Sequence, residues 1–176
     1  DPEDDRNLHY LGREYLYYGR WDDCIRTLTR HLALPSAVWR DERAASMRYI
    51  ARAHARKGER DEARDWYLRA AAEAPHLREP WVDLAMLLYE DQEWDGVLYA
   101  TACALKIRER PRTYICEAEA WGSLPHDLRC QAYYHTGRLP QALEEARLAL
   151  AAAPSDPRLA GNAELLEKMA GLAGEL

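Results

Sequence analysis

Apolar and small residues recur along this chain at helical spacing, and the pattern then repeats as a block. Met47, Ile50, Ala51, Ala63, Tyr67 and Ala70 are answered 34 residues later by Trp81, Leu84, Ala85, Val97, Thr101 and Ala104. The template Ala51, His54, Gly58, Ala63, Ala70, Pro75 reappears 79 residues on as Cys130, Tyr133, Gly137, Ala142, Ala149, Pro154. It also lies 39 residues upstream as Gly12, Tyr15, Gly19, Cys24, His31, with Pro35 one position early. A period of this length with small residues at fixed offsets is the mark of stacked helical hairpins.

The logic of one block is plainest between Asp41 and Pro75. Ala44, Met47, Ile50, Ala51 and His54 form a helical stripe that Asp41 is expected to cap and Gly58 to end. After a tight turn, Asp61 opens a second helix with the stripe Ala63, Trp66, Tyr67 and Ala70, stopped by Pro75. Ala51, Ala63 and Ala70 let two helix axes approach closely; neither helix buries its face alone, so neighbouring units must stack. Units are predicted at about 5–34, 41–75, 79–111 and 124–154, within a single repeat domain over 1–176. In the third, Glu90-Asp91-Gln92-Glu93 stands where the others carry a turn glycine, which predicts a looser turn. Leu159, Ala163, Leu166 and Met169 predict a capping helix over about 156–172. Two connections are longer, Pro35 to Arg40 and Pro111 to Ser123, and within the second Glu117-Ala118-Glu119-Ala120-Trp121 is expected to form one helical turn.

A bulky residue, a leucine followed by a small residue, an aromatic, a turn glycine, two alanines and a closing proline recur in degenerate form from roughly Asp5 to Pro154. In this the chain resembles the tetratricopeptide repeat (TPR) family, with departures at Arg129, Gln92 and His31. The expected fold is all-α: a right-handed α-solenoid of about four TPR-like helix-turn-helix units plus a C-terminal capping helix. The strings NLHYLGREYLYYGRWDDCI, DERAASMRYIARAHARKGERDEARDWYLRAAAEAP, REPWVDLAMLLYEDQEWDG and EAWGSLPHDL further resemble the repeat region that follows the catalytic domain in some bacterial family 2 glycosyltransferases. That likeness implies an accessory segment beside a nucleotide-sugar domain bearing an aspartate metal motif, and no such motif stands in that context here. An opening without Met, already inside a helix-start signal, fits a piece of something longer.

At 176 residues and 48% hydrophobic content the chain can bury a continuous core. No stretch approaches the roughly 18 apolar residues of a membrane span, and DPEDDR is unlike a signal peptide, so a soluble cytoplasmic protein is expected. The formal charge of -6, from 24 basic and 30 acidic residues, argues against a general nucleic-acid binder. Cys24, Cys103, Cys116 and Cys130 lack metal-ligand spacing, and two of them replace small template residues, which reads as thiols packed as small apolar groups. Phenylalanine is absent while tyrosine and tryptophan abound, suiting half-buried groove positions.

The first helix of each unit is expected to line a concave groove. Counting along those helices places His9, Arg13 and Tyr17, then Arg48, Arg52 and Arg56, then Val82, Met86, Tyr89 and Glu90, then Asp127, Gln131, Tyr134 and His135 on that face. Arg48, Arg52 and Arg56 stand four apart on one helix and repel one another unless an anion meets them. The sequence leaves two explanations open: they bind an acidic peptide, or they pair with local acids such as Glu14, Glu59 or Asp83. His126-Asp127 invites a catalytic dyad, but neighbours on a helix diverge by about 100 degrees, and a helix-start role for Pro125 and Asp127 is favoured. Nothing in the spacings calls for a cofactor or metal, and no catalytic motif is present. The predicted function is a non-catalytic scaffold binding a protein or peptide in its groove through Arg13, Tyr17, Arg48, Arg52, Arg56, Met86, Tyr89, Gln131 and Tyr134. Self-association through the unit ends and Trp-rich surfaces is a third expectation.

Overall fold

A computed structural model describes residues 4–173, and the first and last three residues of the expected 1–176 domain lie outside them. Among the described residues all regular structure is helical: α1 (Asp5–Tyr17), α2 (Trp21–Ala33), α3 (Arg40–Lys57), α4 (Arg60–Glu73), α5 (Glu79–Glu90), α6 (Trp94–Lys106), α7 (Ala118–Trp121), α8 (Leu124–His135), α9 (Leu139–Ala152) and α10 (Pro157–Ala173). The fold class is all-α, an α-solenoid type built of TPR-like helical hairpins with a terminal helix.

The turns between α1 and α2, α3 and α4, α5 and α6, and α8 and α9 share one geometry. Gly19, Gly58 and Gly137 take positive φ of 70°, 81° and 73°, a left-handed conformation that glycine adopts at little cost. The residue after each glycine donates its backbone N–H five positions back: Arg20 to Tyr15, Glu59 to His54, Arg138 to Tyr133. This is the Schellman closure of a helix end. The looser third turn predicted from Gln92 is not found. Gln92 itself takes φ 58°, Glu93 donates to Leu88 at 2.9 Å, and the chain accepts a left-handed glutamine so that α6 can return along the same path. The expected cap of α3 also needs correction, because α3 begins at Arg40 after Trp39 with no side-chain cap bond. Asp41 lies inside the first turn and instead accepts from Nε2 of His76 at 2.8 Å.

Small residues set the packing inside each hairpin. Cys24, Ala63, Val97 and Ala142, the fourth residues past their turns, are all wholly buried. Gly12 is needed for a different reason from the turn glycines: a methyl group there would meet Cδ2 of Leu28 at 2.2 Å. The chain divides into two compact units, Asp1–Asp83 and Leu84–Leu176. In the first, Leu16, Cys24, Leu28, Ile50 and Ala53 form a core flanked by Trp21, Tyr49 and Trp66. Arg43 closes the Pro35–Trp39 connection, donating to the carbonyls of Leu32 and Ala37 and pairing with Glu73. In the second unit, Cys130, Ala142, Ala146, Ala163 and Leu166 form the core, with Leu139, Leu143 and Leu150 against it. Asp156 caps α10 by accepting from the N–H groups of Arg158 and Leu159. The segment before α8 holds the expected single helical turn as α7, anchored by buried Ile115 and Ala120.

Candidate partner-binding face

In the first unit the arginine row is not uncompensated. Arg48 is 1% exposed, and its Nε donates to Asp83 Oδ2 at 2.8 Å. Arg52 meets the same carboxylate through Nε and Nη2, at 3.1 and 3.0 Å. Burial alone would raise the Asp83 carboxyl, but the two guanidiniums outweigh it and hold the group below its usual range. Of the two explanations the sequence left open, pairing with Asp83 is the one realised for Arg48 and Arg52; Arg56 is exposed. Arg48 is therefore part of the interior, and its place in a groove is withdrawn. Arg13 lies over the rings of Tyr10 and Tyr17 and bonds Glu14, while Tyr17 stands largely in solvent.

His9 and Val82, counted onto the groove from the sequence, are buried. His9 Nδ1 lies 2.7 Å from Ser46 Oγ, which lies 3.0 Å from Nδ1 of His31, itself fully buried. One hydroxyl proton cannot serve two acceptors, so at least one of the histidines donates to Oγ through Nδ1–H. Burial, with His31 and Arg13 nearby, pushes His9 down to about 4, which keeps it neutral near pH 7. His31 stands where a repeat alanine is usual because Ser46 gives its ring nitrogen a partner.

In the second unit α5, α8 and α10 present a different surface. Met86, Tyr89 and Tyr134 are 42%, 36% and 41% exposed, and Leu165 of α10 is 55% exposed. Gln131 and Asn162 lie among them and line both of two depressions, one walled by Met86, Tyr89 and Glu90, the other by Tyr134 and Leu165. Of the predicted groove residues, the structure gathers Met86, Tyr89, Gln131 and Tyr134 here. Asp127 also reaches this surface, although it is mostly buried, and pairs with Arg158 at 2.8 Å. At the far end, Trp94 stacks on His135 at 4.3 Å and meets Tyr89 edge-on, which fixes the two helix ends against α6.

The contribution of α10 was not foreseen. Arg158, Asn162 and Leu165 form a stripe one position away from the buried Leu159, Ala163 and Leu166, and the signal was an apolar Leu165 outside the core stripe. His126 does not form a dyad with Asp127. Its Nδ1–H donates to Glu145 across the hairpin at 2.7 Å, and Arg129 donates to the same carboxylate at 2.7 Å. Burial would raise Glu145, but these bonds hold it low, which explains an arginine where a leucine is usual. Cys24 and Cys130 are buried free thiols, pushed up by burial to about 12 and about 11. No helix among the described residues is long and apolar enough to cross a membrane.

No protein-family profile matches this chain, and no curated protein matches it. Solved structures do match. One crystal structure of MamA is 20% identical over 86% of this chain and 79% of its own, with a TM-score of 0.68. A second is 15% identical over 97% and 85%, with a TM-score of 0.72. PilF of Pseudomonas aeruginosa is 10% identical over 96% and 68%, with a TM-score of 0.65. Identities this low carry the fold and leave the ligand open. With the repeated turn geometry and the buried small residues, they show that this chain has the tetratricopeptide-type helical-repeat fold.

Proposed function

We propose that this protein is a non-catalytic scaffold whose α5–α8–α10 face binds a segment of a partner protein. The observation that carries this reading is the gathering of Met86, Tyr89, Tyr134 and Leu165, all exposed, around the side-chain amides of Gln131 and Asn162. Tyrosines supply contact area at low entropic cost, and amides supply orientation. The arginine row no longer supports an acidic partner, since Arg48 and Arg52 already share Asp83. A random peptide library panned in parallel on the protein and on Tyr89→Ala and Tyr134→Ala tests the face. Sequences that enrich on the parent and bind each variant about tenfold more weakly support it. Equal enrichment on all three baits removes it.

A second reading, as the accessory region of a bacterial family 2 glycosyltransferase that positions acceptor or catalytic domain, rests on the strings quoted above. Those strings fall on α1, α3, α4 and α5, the first turns of α2 and α6, and the α7–α8 segment. It predicts a nucleotide-sugar domain with an aspartate metal motif upstream in the same reading frame. A frame without one rules it out.

A further inference from the structure

The α5–α8–α10 face also carries a charge and a hydrogen-bonding pattern, and both constrain its occupant. Residues 84–176 hold 14 acidic and 9 basic side chains against 16 and 15 in residues 1–83, so the second unit carries five of the six net negative charges. On the walls of the larger depression stand Glu90, Asp127 and Arg158, and Arg158 is already matched by Asp127. Tyr89 and Tyr134 sit in the last turns of α5 and α8, where the helix dipoles end negative. Asp95, just past the third turn, is largely exposed and lies 3.9 Å from Arg138. Tyrosine faces receive cations.

Gln131 and Asn162 indicate the backbone form. Each carries a carbonyl and an NH₂ group matching the two polar groups of a peptide unit. A helix spends those backbone groups on itself, whereas an extended chain presents them outward. Two such amides on neighbouring helices α8 and α10, both lining both depressions, suit an extended segment with apolar side chains dropping into the two hollows.

We infer that the occupant of this face is a cationic amphipathic segment of a partner protein, bound extended, with apolar residues in the depressions and lysine or arginine toward Glu90 and the α5–α6 turn. This rests on the reading of the face as a docking surface, and the test separates the two. Peptides enriched by the parent and lost on Tyr134→Ala are sequenced, and their net charge is compared with that of the naive library. The strongest is then synthesised with fluorescein, beside a twin in which every Lys and Arg is Glu, and both are titrated at 0.05 and 0.5 M salt. The expected result is a basic enriched pool, at least tenfold weaker binding of the acidic twin at low salt, and a smaller gap at high salt. Glu90→Lys should narrow the gap severalfold while circular dichroism shows the helices intact. A neutral or acidic pool that still depends on Tyr134 overturns the charge assignment and leaves the docking face standing. A charge preference that survives Tyr134→Ala overturns it too, by showing diffuse attraction. If no sequence enriches, both readings fall.

Discussion

At the scale of single residues, the positions where side chain and backbone disagree are the informative ones. Gln92 occupies a left-handed conformation that costs an L side chain about 1 kcal/mol. Gln92→Gly is therefore expected to raise stability by roughly 0.5–1 kcal/mol in urea titration, and Gly58→Ala to lower it by about 1 kcal/mol. Gly12→Ala drives a methyl group into Leu28 and should cost about 1–3 kcal/mol; a smaller loss in the Gly12→Ala, Leu28→Ala pair than the single costs predict would confirm the contact. His9 contributes to the acid behaviour. Its folded value near 4 lies below its ordinary 6.5, so the folded protein binds fewer protons than the unfolded chain between those values. The stability contributed by neutral His9 is complete above about pH 6.5 and drains away as pH falls toward 4, by on the order of 3 kcal/mol. His9→Gln should flatten that slope in chemical denaturation between pH 7 and 4, and an unchanged slope would contradict the buried neutral ring. Turn glycines were legible in the sequence because only glycine is cheap there; the tolerance of Gln92 was not, because the neighbouring helices impose that conformation.

At the scale of elements, side chains that read as surface charges become the bolts between helices. Arg48 and Arg52 on α3 share Asp83 of α5, and Arg129 on α8 shares Glu145 of α9 with His126. Removing the shared acid leaves buried cationic groups without their carboxylate, so Asp83→Asn is expected to cost about 3 kcal/mol. Arg56→Glu, on the same helix but exposed, should move stability by less than about 0.5 kcal/mol. Equal effects of the two variants in urea titration would restore the row as a binding surface. The four-residue spacing was visible in the sequence, but the partner 31 to 35 residues away was one of several acids that fit equally well.

At the scale of the molecule, charge is distributed between two compact units, with the second holding most of the net negative charge. Binding at the α5–α8–α10 face should therefore weaken severalfold as salt rises past the point where the screening length drops to a few ångströms. A salt-independent affinity would place the attraction in the apolar contacts alone.

The repeat period, the hairpin grammar, the terminal helix and the helical turn before α8 were determined by sequence alone. Each is written in local spacing, which is 3.6 residues per turn closed by a glycine or proline. The tertiary structure decided what spacing cannot express: which charges cancel, which histidines are interior, and which exposed side chains converge. Those depend on distances between helices far apart in the chain. A residue such as Arg48 has the same local signature whether it faces solvent or Asp83, and only the packed neighbours remove the ambiguity.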